Sequence, residues 1–294
     1  MNASKLRNVV FGGAALLLSV AAPLQAATTA DILFVVDESG SMSGEHSWIG
    51  SMVAALDTAL IGAGVTGNQY GLVGFGGNSS HGIPGHGHSV GGGDFGTAAQ
   101  LATAAGSLSL SGATEDGYSG IEYALNNYSF RSNAAANVIL ITDEDRDTLS
   151  GSTNTYASIL GLLQGKNALL NAVVNAGFTN GALGIDGTDS YFADGSGDYT
   201  TSPGGVGVSG SGSTLSDYVS LALDSSGAAW NLNLLRQGGL TAESFTAAFV
   251  DIKVGEIINQ PPTGVVPIPA AAIMFAPALL GFLGLRRKTK ATAA

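Results

Sequence analysis

Apolar residues along the chain occur either in short continuous runs or at helical spacing, and the two patterns alternate. The continuous runs predict strands. Continuous runs of β-branched and aromatic residues are typical of strands that are buried on both faces. The runs that fit this pattern are residues 32–36, 70–75, 138–141, 169–178 and 228–235. Glycines within the second run indicate close packing or a bulge there.

Apolar residues at helical spacing lie between these runs. The clearest set predicts a helix over about residues 45–61 and consists of Trp48, Ile49, Met52, Val53, Leu56 and Leu60. Further helices are predicted at 97–105, from Asp116 onward, and at 241–252 with Thr241 as the N-cap. Strands that alternate with helices predict an α/β fold: a doubly wound, mainly parallel sheet with helices on both faces.

Residues 180–213 interrupt this alternation, because the stretch is rich in Gly, Ser, Asp and Thr and is long for a connection. We expect an insertion on the surface. Its carboxylates (Asp186, Asp189, Asp194 and Asp198) are candidate calcium ligands, but they lack the Glu at the twelfth position of an EF-hand loop. A solvated loop is the favoured interpretation.

The first 26 residues have the pattern of a secretory signal peptide. Lys5 and Arg7 precede an apolar stretch at 9–20, and small residues follow it. Cleavage is expected after Ala26 or Ala27. A membrane anchor is the less favoured alternative, because the apolar stretch is short for a bilayer. The remaining body predicts one domain over 27–258 and a linker over 259–264.

The C-terminal segment, 265–294, combines a Val-Pro-x-Pro-Ala-Ala sequence, an apolar span at 265–285 and a basic cluster. This order resembles the PEP-CTERM sorting signal of Gram-negative bacteria, which implies a transmembrane segment, processing by an exosortase and transfer to the cell envelope or extracellular matrix. Ile268 stands where the family has Glu. A plain C-terminal anchor is the alternative. The basic cluster predicts a cytoplasmic chain end.

Charge narrows the choice of partners. Six of the 11 basic residues lie in the two end segments, and all 22 acidic residues lie between Asp31 and Glu256, so the body has five basic residues and a formal charge of −17. Such a field repels nucleic acid and attracts cations. The chain has no cysteine, which excludes disulfides and thiol chemistry.

Hard-oxygen side chains follow two of the predicted strands. Asp37, Ser39 and Ser41 leave the first strand in an Asp-x-Ser-x-Ser pattern, and Asp143 follows the strand at 138–141. Thr114 lies in a loop before a helix. Open α/β sheets bind ligands outside the carboxyl ends of their strands, so a site is expected there.

This constellation resembles the von Willebrand factor type A (vWA) domain and its metal-ion-dependent adhesion site, over about residues 31–256. The resemblance implies a Rossmann-like fold, hydroxyl ligands from Ser39, Ser41 and Thr114, and carboxylates of Asp37 and Asp143 that bind directly or through water. It implies Mg²⁺, or Ca²⁺ or Mn²⁺, as the cation. Since Mg²⁺ takes six hard oxygens, a carboxylate from a partner can complete the shell.

Extra acids distinguish this chain from the family pattern. Glu144, Asp145 and Asp147 follow Asp143, where the family often has Gly, and Glu38 lies beside Asp37. These charges favour calcium or weaken the attraction for an acidic ligand.

Three histidines, His81, His86 and His88, lie in or beside a Gly-rich stretch and are candidate zinc or copper ligands. They lack the H-E-x-x-H spacing and a carboxylate nearby in the sequence, so an exposed polar loop is the favoured interpretation.

The favoured function is a metal-dependent binding module, exported, held first in the inner membrane and then placed in the envelope or exopolysaccharide matrix. Its partner is expected to be a protein or polysaccharide that bears a carboxylate. We predict no enzymatic activity, because the sequence has no Gly-x-Ser-x-Gly motif and no histidine in the metal loops. The alternatives are a matrix protein with a stabilising metal and, less favoured, a metal-assisted hydrolase.

Overall fold

The computed structural model describes residues 27–78 and 82–263. The strands are β1 (Ala30–Asp37), β2 (Gln69–Phe75), β3 (His86–His88), β4 (Phe95–Gly96), β5 (Ala135–Thr142), β6 (Ala168–Val174), β7 (Ala176–Phe178), β8 (Ala182–Ile185), β9 (Asp189–Ala193), β10 (Tyr199–Pro203), β11 (Val208–Gly210) and β12 (Ala229–Asn231). The helices are α1 (Ser43–Gly62), α2 (Ala98–Ala105), α3 (Gly117–Asn127), α4 (Tyr156–Gly165), α5 (Ser220–Asp224), α6 (Leu232–Arg236) and α7 (Gly239–Asn259).

The main sheet has the order β10-β9-β8-β12-β6-β5-β1-β2-β3, and β4 also pairs with β2. Its centre, from β12 to β2, is parallel, while β3, β4, β8, β9 and β10 pair antiparallel. The chain builds outward from β1 through β2 to β3 and then returns to β5 on the other side of β1. The crevice between the carboxyl ends of β1 and β5 is therefore the topological switch point, where doubly wound sheets bind ligands.

Side chains of β1 alternate between two hydrophobic cores. Ile32, Phe34 and Val36 pack with residues of α1, α2 and α7. Leu33 and Val35 pack with residues of α3 and α4 on the other face. The predicted α/β fold, with a mainly parallel sheet between two layers of helices, is confirmed.

Three predicted elements differ from the structure. The run at 228–235 is a three-residue strand, β12, followed by α6, because Asn231 accepts a hydrogen bond from the Asn233 amide and caps a helix there. The closing helix begins at Gly239 and not after Thr241; its N-cap is Gly238, whose positive φ of 68° suits glycine. The run at 169–178 divides into β6 and β7.

The expected surface insertion at 180–213 is largely ordered sheet. It contributes β8, β9 and β10 to one edge of the main sheet, and β11 pairs with β7 in a separate two-stranded sheet. Leu183 and Tyr191 are buried against the core that contains Trp230. The solvated-loop interpretation is wrong for this part of the stretch, because short apolar runs at 182–185 and 191–192 lie between the polar turns and are mostly buried.

Both predicted export signals fall outside the described residues, at 1–26 and 265–294. In the described part of the chain, no helix combines the length and the apolar character needed to cross a bilayer. The residues after α7 contact the domain. The side-chain amide of Gln260 donates hydrogen bonds to the carbonyls of Ala136 and Asn167. The backbone amide and the hydroxyl of Thr263 donate to the carbonyls of Ala134 and Arg131, respectively.

Candidate functional site

Asp37 ends β1 with a buried carboxylate that is held on both oxygens. Its Oδ1 accepts a hydrogen bond from the Ser39 amide at 2.7 Å, and its Oδ2 accepts one from the Thr142 hydroxyl of β5 at 2.8 Å. His46, on α1, donates from Nε2 to the Asp37 carbonyl at 2.8 Å. Burial raises the pKa of Asp37 to about 6, against these hydrogen bonds and with a contribution from the Asp143 charge. The carboxylate is thus oriented but poorly solvated.

Hydrogen bonds link three of the predicted ligands in a chain. Ser39 Oγ lies 3.1 Å from Ser41 Oγ, and the Ser41 hydroxyl donates to Asp143 Oδ1 at 2.9 Å. Together with Asp37, they bring four of the five predicted residues to the switch point between β1 and β5. Ser41 is exposed, so the cluster opens to solvent on that side.

Thr114, the fifth predicted residue, is not joined to this chain. It is half-buried, and in the described part of the molecule no hydrogen bond connects its hydroxyl to the other four side chains. Its loop nevertheless packs against the end of β1, since the Ser111 amide donates to the Glu38 carbonyl at 3.0 Å.

Arg236, at the end of α6, is a site residue that the sequence pattern does not reveal. Its Nη2 donates to Asp143 Oδ2 at 2.8 Å, and its Nε donates to Glu45 Oε1 at 2.5 Å. These bonds, the one to Glu45 foremost, raise the pKa of the guanidinium. The sequence offered one indication of its role. Basic residues are rare in this acidic body, so each of them is expected to pair with a carboxylate.

Glu115 is the second site residue that the sequence analysis did not identify. It is buried, and a Cβ on Gly76, whose φ is +71°, would lie 3.0 Å from Glu115 Cγ and 3.2 Å from Asp37 Oδ1. Burial, together with the charges of Asp37, Glu144 and Asp147, raises the pKa of Glu115 to about 7. The carboxyl end of the sheet therefore collects more negative charge than Arg236 neutralises.

This donor set fits a hard divalent cation. Asp37, Ser39, Ser41 and Asp143 supply carboxylate and hydroxyl oxygens, the ligand types that Mg²⁺, Ca²⁺ and Mn²⁺ prefer. The raised pKa values of Asp37 and Glu115 indicate that their negative charge is undercompensated. Arg236 lies on Asp143 and would compete with the cation for that carboxylate.

Two of the four candidate calcium ligands of the insertion accept hydrogen bonds from backbone amides in turns. Asp186 Oδ1 accepts hydrogen bonds from the amides of Thr188 and Asp189, and Asp194 Oδ1 accepts from the amides of Ser196 and Asp198.

The histidine stretch differs from the exposed loop that the sequence favoured. His86 and His88 form β3, which pairs antiparallel with β2, and both are half-buried. Glu38 provides the carboxylate that seemed to be missing: its side chain is fully buried, 2.8 Å from His86 Nε2 and 3.4 Å from His88 Nε2. Burial opposes ionisation of Glu38, but hydrogen bonds from the two histidines and the Ser109 amide outweigh it and lower its pKa to about 2. His81 lies outside the described residues.

No protein-family model matches the sequence, and no curated protein is similar to it in sequence. Among solved structures, an aerotolerance-related membrane protein from Bacteroides fragilis is similar with a TM-score of 0.44 and 12% identity, covering 77% of this chain and 99% of that one. Proximal thread matrix protein 1 from the mussel byssus has a TM-score of 0.36 and 17% identity, over 51% of this chain and 36% of that one. A form of the mussel protein with a zinc-occupied MIDAS motif has a TM-score of 0.37 and 16% identity, over 51% and 37%. At such low scores these likenesses carry no conclusion about function.

Proposed function

We propose that this chain is a metal-dependent binding module whose cation is held at the switch point between β1 and β5. The observation that carries the proposal is the linked set of Asp37, Ser39, Ser41 and Asp143, two carboxylates and two hydroxyls at the carboxyl ends of adjacent strands. This set corresponds to four of the five residues expected from the resemblance to the vWA adhesion site. The cation would be Mg²⁺, Ca²⁺ or Mn²⁺.

The partner we propose carries a carboxylate, on a protein or a polysaccharide. A strongly acidic domain repels such a partner unless a cation bridges the two. Ser41 is exposed at the rim, which supports access for an external ligand. Export, passage through the inner membrane and exosortase processing, inferred from the end segments, would place the module in the envelope or matrix. We propose no catalytic role.

Isothermal titration of the purified protein with Mg²⁺, Ca²⁺ and Mn²⁺ tests the cation. Ser41→Ala removes the hydroxyl that links Ser39 to Asp143 and should weaken binding about tenfold, or ~1.4 kcal/mol. Ser47→Ala is the matched control, because Ser47 is an exposed serine on α1 that bonds only to its own helix. Equal affinity in both variants would contradict the assignment.

Retention on an immobilised polyuronate, a polysaccharide that bears carboxylates, tests the partner. Binding should require the divalent cation, disappear with chelator and be weakened by Ser41→Ala. Retention that is unaffected by chelator would show that the metal does not form the bridge.

A further inference from the structure

We propose that Glu38, His86 and His88 form a second cation site, selective for a borderline transition metal such as Zn²⁺ and separate from the hard-oxygen site. Their ligand atoms all lie within 4.8 Å of one another, and they are the group of His and acidic ligands that the described residues bring together in this way. Two imidazole nitrogens and one carboxylate are a ligand set that proteins use for zinc, with a fourth position open to water.

The distances between the ligand atoms suit this ion. Ligands about 2.0–2.1 Å from a tetrahedral zinc ion lie about 3.3 Å apart. The carboxylate oxygens of Glu38 lie 2.8 Å from His86 Nε2 and 3.4 Å from His88 Nε2. A small outward movement of His86 would therefore admit the ion without rearranging the backbone.

Neighbouring backbone groups orient two of the three ligands, His86 and Glu38. His86 donates from Nδ1 to the Pro84 carbonyl at 2.9 Å, which directs Nε2 toward Glu38 and is the usual outer-shell partner of a metal-bound imidazole. The Ser109 amide donates to Glu38 Oε1 at 2.7 Å. Because His86 and His88 are two apart on a strand, their side chains lie on the same face of β3.

The backbone leaves room for this group at one position. Gly74 of β2 pairs with His86, and a Cβ there would lie 2.4 Å from Glu38 Oε2 and 2.7 Å from His88 Nε2. Any other residue at 74 would push these two ligands apart. The side chains of His86 and His88 are 22% and 14% exposed, but their Nε2 atoms are buried, so an entering ion would have to displace one of these half-buried imidazoles.

A bound zinc would tie the edge strand β3 to the end of β1, close to the proposed hard-cation site. The two sites differ in ligand type, so each should respond to its own cation: oxygen ligands for Mg²⁺ and imidazole for Zn²⁺.

The test is titration of the full-length protein with Zn²⁺ in the presence of millimolar Mg²⁺, with Co²⁺ absorption as a spectroscopic report of imidazole ligation. We expect one equivalent of Zn²⁺ and a Co²⁺ spectrum that Zn²⁺ abolishes. The double variant His86→Gln/His88→Gln should lose at least about 100-fold in Zn²⁺ affinity, since even outer-shell partners contribute 10–100-fold. Asp194→Asn, which removes an exposed carboxylate of the insertion, is the control and should bind as the unmodified protein does.

Several outcomes would overturn the proposal: no stoichiometric Zn²⁺ binding, Zn²⁺ displaced by Mg²⁺, or full affinity in the double variant. Circular dichroism and thermal melting without metal show whether the double variant is folded. If it is not, Glu38→Gln and each single histidine variant provide the same comparison. Failure of Mg²⁺, Ca²⁺ and Mn²⁺ alike to bind while Zn²⁺ binding survives would contradict the proposed function alone, and the reverse would contradict this inference alone.

Discussion

Two aspartates of β1 show how position decides what a buried carboxylate does. Asp31, at the start of the strand, is fully buried and bonds to the Arg131 guanidinium through Nε at 2.8 Å. Asp37, at its end, is equally buried but has only neutral donors, and the nearby Asp143 carries the same charge. The first charge is compensated within the protein, whereas the second is available to an external cation.

Replacing each of these aspartates with Asn should therefore have opposite consequences. Asp37→Asn keeps an acceptor for the Ser39 amide but removes a poorly solvated charge, so the metal-free protein should melt no lower than the unmodified one. Its affinity for Mg²⁺ or Ca²⁺ should fall at least tenfold, roughly 1.4 kcal/mol or more. Melting curves in chelator and in millimolar metal measure both effects, because stabilisation by a ligand follows its occupancy.

Asp31→Asn is the matched control at the other end of the same strand. It leaves the partly exposed Arg131 guanidinium without its charged partner and should lose about 1.5–3 kcal/mol of folding stability, while its metal affinity is unchanged. If both variants gain equal stability from metal, the cation binds elsewhere.

Replacing Arg236 should raise the metal affinity, whereas replacing Asp37 should lower it. Its guanidinium lies on Asp143, so a divalent cation must compete with that positive charge. Arg236→Gln should raise the affinity for Mg²⁺ by roughly fivefold, or ~1 kcal/mol, which is the size expected for a partly exposed ion pair. Titration calorimetry measures this change, with Arg131→Gln as the control. A weaker affinity in Arg236→Gln would show that the arginine supports the site and does not compete with it.

Among the elements, α7 carries an internal charge whose cost can be measured. Lys253 is completely buried, and its Nζ donates to Glu256 Oε2 at 2.8 Å, which also accepts from Asn171 on β6. Burial lowers the pKa of Lys253, although Glu256 partly opposes the effect. The helix thus holds an ammonium group that binds its proton less tightly than the unfolded chain does.

The sign of the pH dependence follows from this difference. Between the lowered folded pKa and the ordinary value of about 10.4, the unfolded chain binds more protons, so raising the pH favours the folded state. The unmodified protein should therefore gain stability relative to Lys253→Met between about pH 8 and pH 10. Urea unfolding of both proteins at each pH measures the difference, and tyrosine titration cancels because both contain the same tyrosines. A constant or decreasing difference would contradict the argument.

The elements also show which parts of the structure the sequence could predict. Buried parallel strands and long amphipathic helices have local patterns, so β2 and α1 were found nearly in full and β1 and β5 at their centres. The location of Asp37 and Asp143 at the carboxyl ends of strands followed from these patterns. Short strands such as β3 and β8 owe their structure to pairing partners distant in the chain. Their patterns are too brief to distinguish from loops.

The same reason explains the site residues that were missed. Arg236 and Asp143 are 93 residues apart in the sequence. Their contact depends on α6, a five-residue helix in a stretch that was predicted mostly as strand. Glu38 meets the two histidines only because β3 pairs with β2, so a carboxylate distant in sequence becomes a neighbour in space. The spacing of residues within a short stretch of sequence does not predict such long-range contacts, because they depend on how distant elements pair in the fold.

Across the whole molecule, the few basic residues of the domain are already engaged. Four of its five basic side chains form ion pairs with carboxylates, namely Arg131–Asp31, Arg146–Asp116, Arg236–Glu45 and Asp143, and Lys253–Glu256. Little positive charge is left on the surface to attract an anionic partner directly. If the module binds a carboxylate, as proposed, we therefore expect a bridging cation to be required.

The last prediction concerns the end segments and where they would place such a module. If 265–294 is a sorting signal, the exported protein first resides in the inner membrane and then loses the segment after about Pro269 in a host with a matching exosortase. Replacing Pro267, Ile268 and Pro269 with alanines retains the apolar span and the basic cluster, so insertion should continue while processing stops. The full-length membrane form should then accumulate on immunoblots of fractionated cells, whereas Thr289→Ala, within the basic cluster, should be processed normally. A plain membrane anchor would give the same unprocessed band for both variants and for the unmodified protein. If the alanine variant is processed as fully as the unmodified protein, these three residues are not the recognised sequence.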